Sequence, residues 1–397
     1  MKSDINLPIN ISLPGSFLDA EEKCGYQITH ESKLLWAVIL DLMVEFDRVC
    51  KLYKIQYCID GGSLLGAVRH GGFIPWDNDA DVVMLRSEYD RLCKIAPQAF
   101  QHPYFWQTNE TDPGTVRRHA QLRNSLTTCI LASEAKDGKA RYQFNQGVFL
   151  DVFILDEVPD DEKELALLRA ELDHQITILL DFKEYYWASN ASPWVRFAQK
   201  QAYEEFESVV TRYNGSGQTC IANISLLPHR LVSSFFKKEV FEHYANYTFE
   251  GFSFPGPQDY DTVLRGYYGD WHKFVIGGDL HGGLIVDTQT PYTAYLDKNV
   301  SDEDSLGGAH PLLMLYKTKD DLISQRDKAM DEIRFLFNEN ESLRRDLAHK
   351  EMEASHLRIS NDRLNKKVRI KRRLTIILGI LSVFTLSILI LLIVTNN

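Results

Sequence analysis

A run of 21 consecutive uncharged residues at 374–394 constrains this chain more than any other feature of its sequence. At about 1.5 Å per residue, a helix of that length crosses the roughly 30 Å hydrocarbon layer of a bilayer. A buried helix of a soluble domain is the alternative, but such helices rarely extend so far without a charge. The run therefore predicts a single C-terminal transmembrane helix.

The charges beside this run predict its orientation. Residues 366–373 contain six Lys and Arg side chains, whereas the run is followed only by uncharged residues. Cationic segments favour the cytoplasmic side of a span, where anionic headgroups attract them. The first 16 residues contain no apolar stretch typical of a signal peptide. We therefore expect a single-pass membrane protein whose catalytic domain lies in the cytoplasm.

Residues 320–372 have the spacing of a coiled coil. A heptad repeat has two core positions. At the first, apolar residues occupy six of the seven sites from Leu322 to Leu364, and the second includes Asn340 and Asn361. An asparagine at a core position pairs with the same asparagine of a second chain only when the two helices are in register, which favours a parallel dimer. A single amphipathic helix packed on the body is the alternative. We expect a parallel homodimer through this coil.

The whole chain is acidic. It contains 44 Lys and Arg against 55 Asp and Glu, a formal net charge of -11. A protein that coats nucleic acid needs a basic surface, so no nucleic-acid partner is expected. The six cysteines form neither a CxxC pair nor a dense disulfide spacing, and we expect free thiols.

The pattern at residues 31–66 is that of a helix, a strand and a glycine turn. Apolar residues at helical spacing over 31–53 predict an amphipathic helix with one face in the core. A short strand is predicted at 56–59, and Gly61 and Gly62 follow it. Paired glycines after a strand let backbone N–H groups approach a phosphate, particularly where a helix follows, although most such pairs are only turns.

Two acidic residues precede the next predicted strand, at 82–85. Asp79 and Asp81 are separated by one residue, so in an extended segment their side chains lie on one face, roughly 7 Å apart. Carboxylates placed in this way repel each other unless a cation lies between them, and Mg²⁺ prefers oxygen ligands. An acidic surface loop is the alternative, but the strand that follows is too apolar to be exposed on both faces.

A third acid, Asp151, interrupts a later apolar strand. A lone carboxylate in a buried strand is unfavourable unless it is paired or binds metal. Asp151 is therefore expected to join Asp79 and Asp81, with an internal ion pair to an arginine as the alternative. Asp156 and Glu157, at the end of the same strand, are expected to face solvent.

The run GGSLLGAVRHGGFIPWDNDADV, residues 61–82, resembles the LicD family, which includes fukutin and fukutin-related protein and has the nucleotidyltransferase fold. In that fold a Gly-Gly/Ser turn precedes an Asp-x-Asp pair, and a third acid comes from a later strand. The resemblance continues through an Arg-containing strand at 121–128 and a closing aromatic motif, and covers about residues 30–295. Asn78 and Ala80 interrupt the acidic run usual in the family, and the anchor is C-terminal where the Golgi members carry an N-terminal one.

The resemblance implies an α+β fold, with a nucleotidyltransferase-like mixed sheet and flanking helices, followed here by the coiled-coil helix and the single C-terminal transmembrane helix. The expected domains are an N-terminal extension at 1–29, a LicD-like catalytic domain at 30–300, a linker at 301–319, a coiled coil at 320–372 and a transmembrane helix at 374–394.

The resemblance also implies transfer of a phosphorylated alcohol, phosphocholine or a polyol phosphate, from a CDP-linked donor to a hydroxyl of a cell-surface glycan or its lipid-linked precursor. Mg²⁺, or Mn²⁺ in its place, would be held by Asp79, Asp81 and Asp151 and would bridge the donor's diphosphate. Asp77 is a candidate base or a support for these acids. The candidate substrate-binding residues are Gly61, Gly62, Ser63, Arg69, His70 and Arg123, with Arg117 and Arg118 as further phosphate-binding cations.

Several alternatives stay open at this point. For each basic residue, a surface charge or an internal ion pair is the alternative to substrate contact. Aromatic residues at 267–271 either pack against the core or bind a sugar or a quaternary ammonium. The same fold would also suit a nucleotidyltransferase that releases pyrophosphate, or a catalytically inactive binding module on a membrane-tethered scaffold. The intact acids at 79, 81 and 151 argue against the inactive module.

Overall fold

The structure is a computed structural model that describes residues 6–187, 193–224, 235–275 and 283–296 of the 397-residue chain. The chain divides into two compact units, one of residues 1–187 and 199–301 and the other of residues 188–198 and 302–397. Of the second unit, only residues 193–198 belong to the described ranges, where they form the first turns of a helix. The site residues predicted from the sequence all lie in the first unit.

The described part of the chain combines helices with short strands. The helices are α1 (His30–Tyr53), α2 (Gly61–His70), α3 (Arg86–Ala99), α4 (Glu162–Tyr186), α5 (Pro193–Val210) and α6 (Tyr260–Tyr268). The strands are β1 (Glu21–Lys23), β2 (Tyr26–Ile28), β3 (Cys58–Ile59), β4 (Asp81–Leu85), β5 (Tyr104–Gln107), β6 (Ala120–Asn124), β7 (Thr128–Leu131), β8 (Ala135–Lys136), β9 (Lys139–Ala140), β10 (Val148–Val158), β11 (Cys220–Ala222), β12 (Phe235–Lys237), β13 (Tyr244–Phe249), β14 (Phe252–Pro257) and β15 (Leu284–Asp287).

Seven of these strands form a central mixed sheet. Its order is β12-β11-β10-β4-β3, and β6 pairs with β10 and β5 with β6. Strands β4 and β10 are parallel, and the other pairs of the sheet are antiparallel. The buried strand β10 therefore lies at the centre, with β4 along one edge and β6 and β11 along the other. The mixed sheet with flanking helices predicted from the sequence is confirmed for the described residues.

Helix α1 forms where its periodicity predicts it, but its middle section is enclosed on all sides. Thr29 caps its N-terminus, since the side-chain oxygen accepts a hydrogen bond from the Ser32 amide at 3.2 Å. Every residue at 35–43 is buried, so the prediction of a single buried face is wrong for this section, whereas Leu52 and Tyr53 near the C-terminus of the helix are exposed. The reason is that the N-terminal segment packs over the other side of the helix, where Asp41 accepts a hydrogen bond from the Asn10 amide at 2.7 Å.

Asp156, which the sequence led us to expect in solvent, is buried at the far end of β10, so that prediction is wrong. Arg86 of α3 donates to both of its carboxylate oxygens, at 2.7 and 2.9 Å, and to Glu207 of α5 at 3.0 Å. Asn214 donates a further hydrogen bond to Asp156 at 2.6 Å. The error arose because the following Pro159 indicates where a strand ends and carries no information about a partner from another part of the chain.

No α-helix within the described ranges has both the length and the apolar character that crossing a bilayer requires. The predicted linker at 301–319, coiled coil at 320–372 and transmembrane helix at 374–394 lie outside the described residues.

Candidate active site

A row of polar residues crosses the middle of the otherwise apolar sheet. Asp81 at the start of β4 is the register partner of Asp151 on β10, and Asp151 is in turn the partner of Gln121 on β6. The row continues to Gln107 on β5. Register partners on neighbouring strands lie about 4.8 Å apart and point to the same side of the sheet. The structure therefore brings Asp81 and Asp151 side by side from separate parts of the sequence.

Polar neighbours hold Asp151 within the strand. Gln121 Nε2 donates to its Oδ1 at 2.6 Å, and His119 Nε2 lies 3.0 Å from the same oxygen. Burial raises the pKa of Asp151, but the contacts with His119 and Gln121 and the charge of Arg117 outweigh burial, so the pKa lies below its usual value. Burial lowers the pKa of His119 despite the nearby Asp151. At neutral pH a neutral imidazole therefore donates its Nε2 hydrogen to an ionised carboxylate.

Arg123 lies behind this row, in the interior of the protein. It is 1% exposed and donates hydrogen bonds to Gln107 Oε1 at 2.5 Å and to the Gly147 carbonyl at 2.6 Å. It also donates to Gln121 Oε1. Burial lowers the pKa of Arg123 to about 9. Arg123 orients Gln121, which in turn donates to Asp151, while direct contact of Arg123 with a substrate stays a prediction.

The other predicted arginines lie near this row. Arg117 Nη2 is 3.2 Å from Glu134 Oε2, an ion pair of the kind that was the alternative to substrate contact. Burial lowers the pKa of Arg118. The charges of both arginines contribute to the lowered pKa of His119, so both lie close to the acid-bearing strand.

Asp81 lies among other carboxylates. Burial and the negative charges of Asp79, Asp151, Asp77 and Asp60 raise the pKa of Asp81 well above its usual value. Burial also raises the pKa of Asp60, to about 6. Like charges gathered in this way disfavour the ionised forms of one another unless a cation compensates them. A cation would therefore bind here more favourably than at an isolated carboxylate.

Two glycines let the start of α2 approach this cluster. Gly61 has a φ of +51°, which favours glycine, and a Cβ there would lie 3.1 Å from Asp81 Oδ2. A Cβ on Gly62 would lie 2.7 Å from Asp77 Oδ2. The Ser63 hydroxyl accepts a hydrogen bond from the Asp81 amide at 2.9 Å. Because the first amides of a helix lack partners within the helix and carry partial positive charge, this end of α2 suits a phosphate.

Arg69 and His70 lie at the other end of α2, so the structure does not bring them together with Gly61. Eight residues separate Arg69 from Gly61, a helical rise of about 12 Å. Arg69 Nε donates to His70 Nε2 at 3.0 Å, and Nη1 donates to the Trp271 carbonyl at 3.2 Å. Burial and the charges of Arg69 and Lys23 lower the pKa of His70 to about 4, so the imidazole is neutral at pH 7.

The exposed ring of Phe274 and the partly buried ring of Trp76 extend from Arg69 toward the acidic loop. The Arg69 guanidinium lies 4.6 Å from the centre of the Phe274 ring, and Phe274 is 51% exposed. Trp76 packs edge-on against Phe274, with ring centres 5.8 Å apart, and directly precedes Asp77 in the sequence. We refer to Arg69, Trp76 and Phe274 as the aromatic shelf. It adjoins the loop that carries the predicted acids.

The side chains as they stand do not form a finished cation site. In the part of the chain that the structure describes, no three His, Cys, Asp or Glu side chains are grouped closely enough to hold a metal ion. Asp79, Asp81 and Asp151 nevertheless offer only carboxylate oxygens, the ligands that Mg²⁺ and Mn²⁺ prefer. The chemistry of this donor set fits such an ion, and metal binding by the three residues stays a prediction.

Sequence reasoning missed His119, Gln121 and Asp60. The first two carried a signal, because His119, Gln121 and Arg123 alternate with apolar neighbours in the way that a strand with one polar face does. Asp60 carried none, since an acid before a predicted helix is ordinarily an N-cap. Its place beside Asp81 depends on how β3 pairs with β4.

Comparison with known proteins identifies a family domain over this region. Residues 54–142 match the family model described as "LicD/FKTN/FKRP, nucleotidyltransferase domain". The match includes the glycine pair and the acids at 77, 79 and 81, and it ends before Asp151.

Several curated proteins are similar in sequence. The lipopolysaccharide cholinephosphotransferase LicD of Haemophilus influenzae is 28% identical over 259 residues, which is 59% of this chain and 89% of the relative. The uncharacterized protein RP689 of Rickettsia prowazekii is 34% identical over 87 residues, 22% of this chain and 32% of the relative. The ribitol 5-phosphate transferase FKRP of human is 61% identical over 28 residues, 7% of this chain and 6% of the relative.

Proposed function

We propose that this chain, whose residues 54–142 match the LicD/FKTN/FKRP family model, transfers a phosphorylated alcohol, such as phosphocholine or a polyol phosphate, from a CDP-linked donor to a hydroxyl of a glycan. Two relatives are named for transfers of this class, one of phosphocholine and one of ribitol 5-phosphate. The observation that carries the proposal is the pairing of Asp81 with Asp151 beside the N-terminus of α2. It joins carboxylates that suit a cation to a helix end that suits an anion, and a diphosphate donor needs both.

Asp79, Asp81 and Asp151 are the residues that would hold Mg²⁺, with Mn²⁺ as an alternative. When bound, the ion would offset the negative charge of the donor's diphosphate. The protein's own contribution is to keep Asp151 ionised and fixed in orientation, through Gln121 and His119.

In the proposed reaction an acceptor hydroxyl oxygen attacks the phosphorus that carries the alcohol. A new P–O bond forms, the P–O bond to CMP breaks, and CMP leaves with the bonding electron pair. Asp77 is the proposed base that takes the acceptor's proton, and its carboxylate lies over the first turn of α2. The amides of Gly62 and Ser63 would donate to the phosphoryl oxygens and hold the group in place.

The aromatic shelf supports the second part of the proposal, a place for the acceptor. Sugar rings pack their C–H faces on exposed aromatic rings, and a guanidinium binds phosphate or hydroxyl oxygens. The shelf offers both groups together, and Trp76 connects it directly to Asp77. We therefore propose that the acceptor binds on the Arg69 side of the acidic loop and the donor at the N-terminus of α2.

The test is an assay of the full chain in detergent, since residues 297–397 lie outside the described ranges. The chain is incubated with MgCl₂, purified lipopolysaccharide and CDP-choline, CDP-glycerol or CDP-ribitol, and CMP is measured. We expect CMP release that needs the acceptor and stops with EDTA. Release of pyrophosphate from a nucleoside triphosphate, without CMP from any CDP-alcohol, would contradict the proposal in favour of nucleotidyl transfer. The absence of both CMP and pyrophosphate would contradict it in favour of an inactive scaffold. A membrane anchor, a cytoplasmic catalytic domain and a coiled-coil homodimer stay predictions.

Replacing Gly61 with alanine is expected to reduce CMP release at least about tenfold, because the new methyl group would lie against Asp81 Oδ2 and displace it. The positive φ adds a stability loss of about 1 kcal/mol. Gly71→Ala is the matched control, since Gly71 has a φ of +69° with open space around its Cβ position. Thermal unfolding should show similar losses in the two variants. Equal activities of the two variants would contradict the close approach of Gly61 to Asp81.

Replacing Phe274 with alanine is expected to raise the KM for the acceptor about three- to tenfold, because a ring contact contributes about 0.5–1.5 kcal/mol. The donor KM should not change. Steady-state kinetics with each substrate varied in turn measure both constants. Tyr53→Ala, which removes a 40% exposed ring at the end of α1, should change neither. An increase confined to the donor KM would show that the shelf does not bind the acceptor.

A further inference from the structure

Asp60 is a buried carboxylate with one oxygen unused. It is 3% exposed, and its Oδ2 accepts a hydrogen bond from the Tyr267 hydroxyl of α6 at 2.9 Å. Its Oδ1 is buried and has no hydrogen-bond partner. Leaving a buried carboxylate oxygen without a partner is unfavourable, and native proteins rarely do so without a reason.

The position of Asp60 makes the unused oxygen more unusual. Asp60 is the N-cap residue of α2, where an Asp side chain ordinarily accepts an amide hydrogen bond from the first turn. Asp259, the N-cap of α6, does this and accepts from the Thr262 amide at 3.2 Å. The Asp60 side chain makes no such cap bond. The amide of Gly61, the first residue of α2, acts on this carboxylate and lowers its pKa, but Oδ1 has no hydrogen-bond partner among the described groups.

Asp60 lies directly beside the proposed cation ligands. Its amide donates to the Asp81 carbonyl at 3.1 Å, and the Cβ position of the next residue, Gly61, is 3.1 Å from Asp81 Oδ2. Its negative charge acts on Asp81 together with those of Asp79 and Asp151. Among the side chains that the structure describes, no lysine, arginine or histidine forms an ion pair with Asp60 or Asp81. A positive charge that would compensate Asp60 must come from outside this set of side chains.

We propose that Asp60 is a further carboxylate ligand of the divalent cation site at Asp79, Asp81 and Asp151, and that Tyr267 orients it. The proposal rests on the proposed function, because that function places a hard divalent cation such as Mg²⁺ or Mn²⁺ at these acids. Tyr267 holds Oδ2, which leaves Oδ1 for the ion. Through the hydrogen bond from Tyr267 to Asp60, α6 would also support the cation site.

The experiment is a titration of the full chain with Mn²⁺, in which electron paramagnetic resonance measures the free ion. Asp60→Asn keeps the size of the side chain and an acceptor for Tyr267 while removing the charge, and it is expected to raise the Kd for Mn²⁺ about tenfold or more. Tyr267→Phe keeps the Asp60 carboxylate but removes the hydrogen bond that orients it. This variant is expected to raise the Kd for Mn²⁺ by a smaller factor. The metal-free unfolding temperature of Asp60→Asn should not fall.

Two variants separate the possible outcomes. Asp259→Asn changes an N-cap of α6 that keeps its cap bond, and it should leave Mn²⁺ binding unchanged. Asp151→Asn tests the cation site itself. If Asp151→Asn loses binding while Asp60→Asn and Tyr267→Phe match the unsubstituted chain, this inference is overturned and the proposed function stands. If the unsubstituted chain binds no Mn²⁺, both the cation site and the role of Asp60 are overturned.

Discussion

Replacing Asp81 with asparagine is expected to lower kcat/KM for CMP release at least about a thousandfold, which corresponds to about 4 kcal/mol of lost transition-state stabilisation. Asp81 is the register partner of Asp151, and its Oδ2 lies 3.1 Å from the Cβ position of Gly61 in the first turn of α2. The same change should make the metal-free protein more stable, because burial and the surrounding carboxylates disfavour the ionised form of Asp81. Activity and stability therefore move in opposite directions.

Two measurements check this result. Steady-state kinetics in MgCl₂ give the loss of kcat/KM, and thermal unfolding in EDTA should show a transition a few degrees higher than that of the unsubstituted chain. Glu204→Gln is the matched control, since it removes an exposed carboxylate of α5 from a loose ion pair with Lys200 at 3.8 Å. It should leave both quantities close to their original values. An active Asp81→Asn variant would exclude Asp81 from the reaction, and a less stable one would contradict the crowding of negative charge.

Replacing Arg86 with alanine is expected to lower the free energy of unfolding by about 3–5 kcal/mol. Asp156 is 1% exposed, and the substitution removes both of the hydrogen bonds that Arg86 donates to it, at 2.7 and 2.9 Å. Within the described ranges, only the side-chain amide of Asn214, at 2.6 Å, would still donate to this carboxylate. Glu207 would also lose its contact with Arg86 at 3.0 Å. A buried carboxylate without its cation is the physical reason for the large effect.

Urea unfolding with linear extrapolation measures this loss. Arg48→Ala removes an exposed arginine paired with Glu45 at 2.7 Å and should cost less than about 1 kcal/mol, since surface ion pairs are weak. Combining Arg86→Met with Asp156→Leu removes both buried charges and should recover a large part of the stability. Similar losses for Arg86→Ala and Arg48→Ala would show that the interaction with Asp156 is not a buried ion pair.

The sequence predicted the local elements around the site well. The helix expected at 31–53 is α1, and the strand expected at 82–85 lies within β4. Both follow from apolar periodicity, which reports backbone conformation over a few turns or residues. The same reasoning misjudged how much of α1 is buried, because periodicity does not show which later or earlier segment will cover the outer face.

For individual side chains the sequence was less informative. It singled out Asp151 as an acid that needs a partner, and it assigned Asp156 to solvent on equally local grounds. The structure gives Asp151 a glutamine and a histidine and gives Asp156 the buried arginine. Burial and charge alone indicated that a partner was needed, but not which residue supplied it.

By itself, the sequence determined the resemblance to the LicD/FKTN/FKRP family and the glycines that open α2, and it predicted the acid pair at 79 and 81. Tertiary structure alone decided that Asp81 lies opposite Asp151 and that Tyr267 reaches Asp60. The reason is that alternation along a strand fixes which side each residue faces, whereas partners across a sheet depend on strand order and register. These are set by packing of the whole domain, to which residues far apart in the chain contribute together.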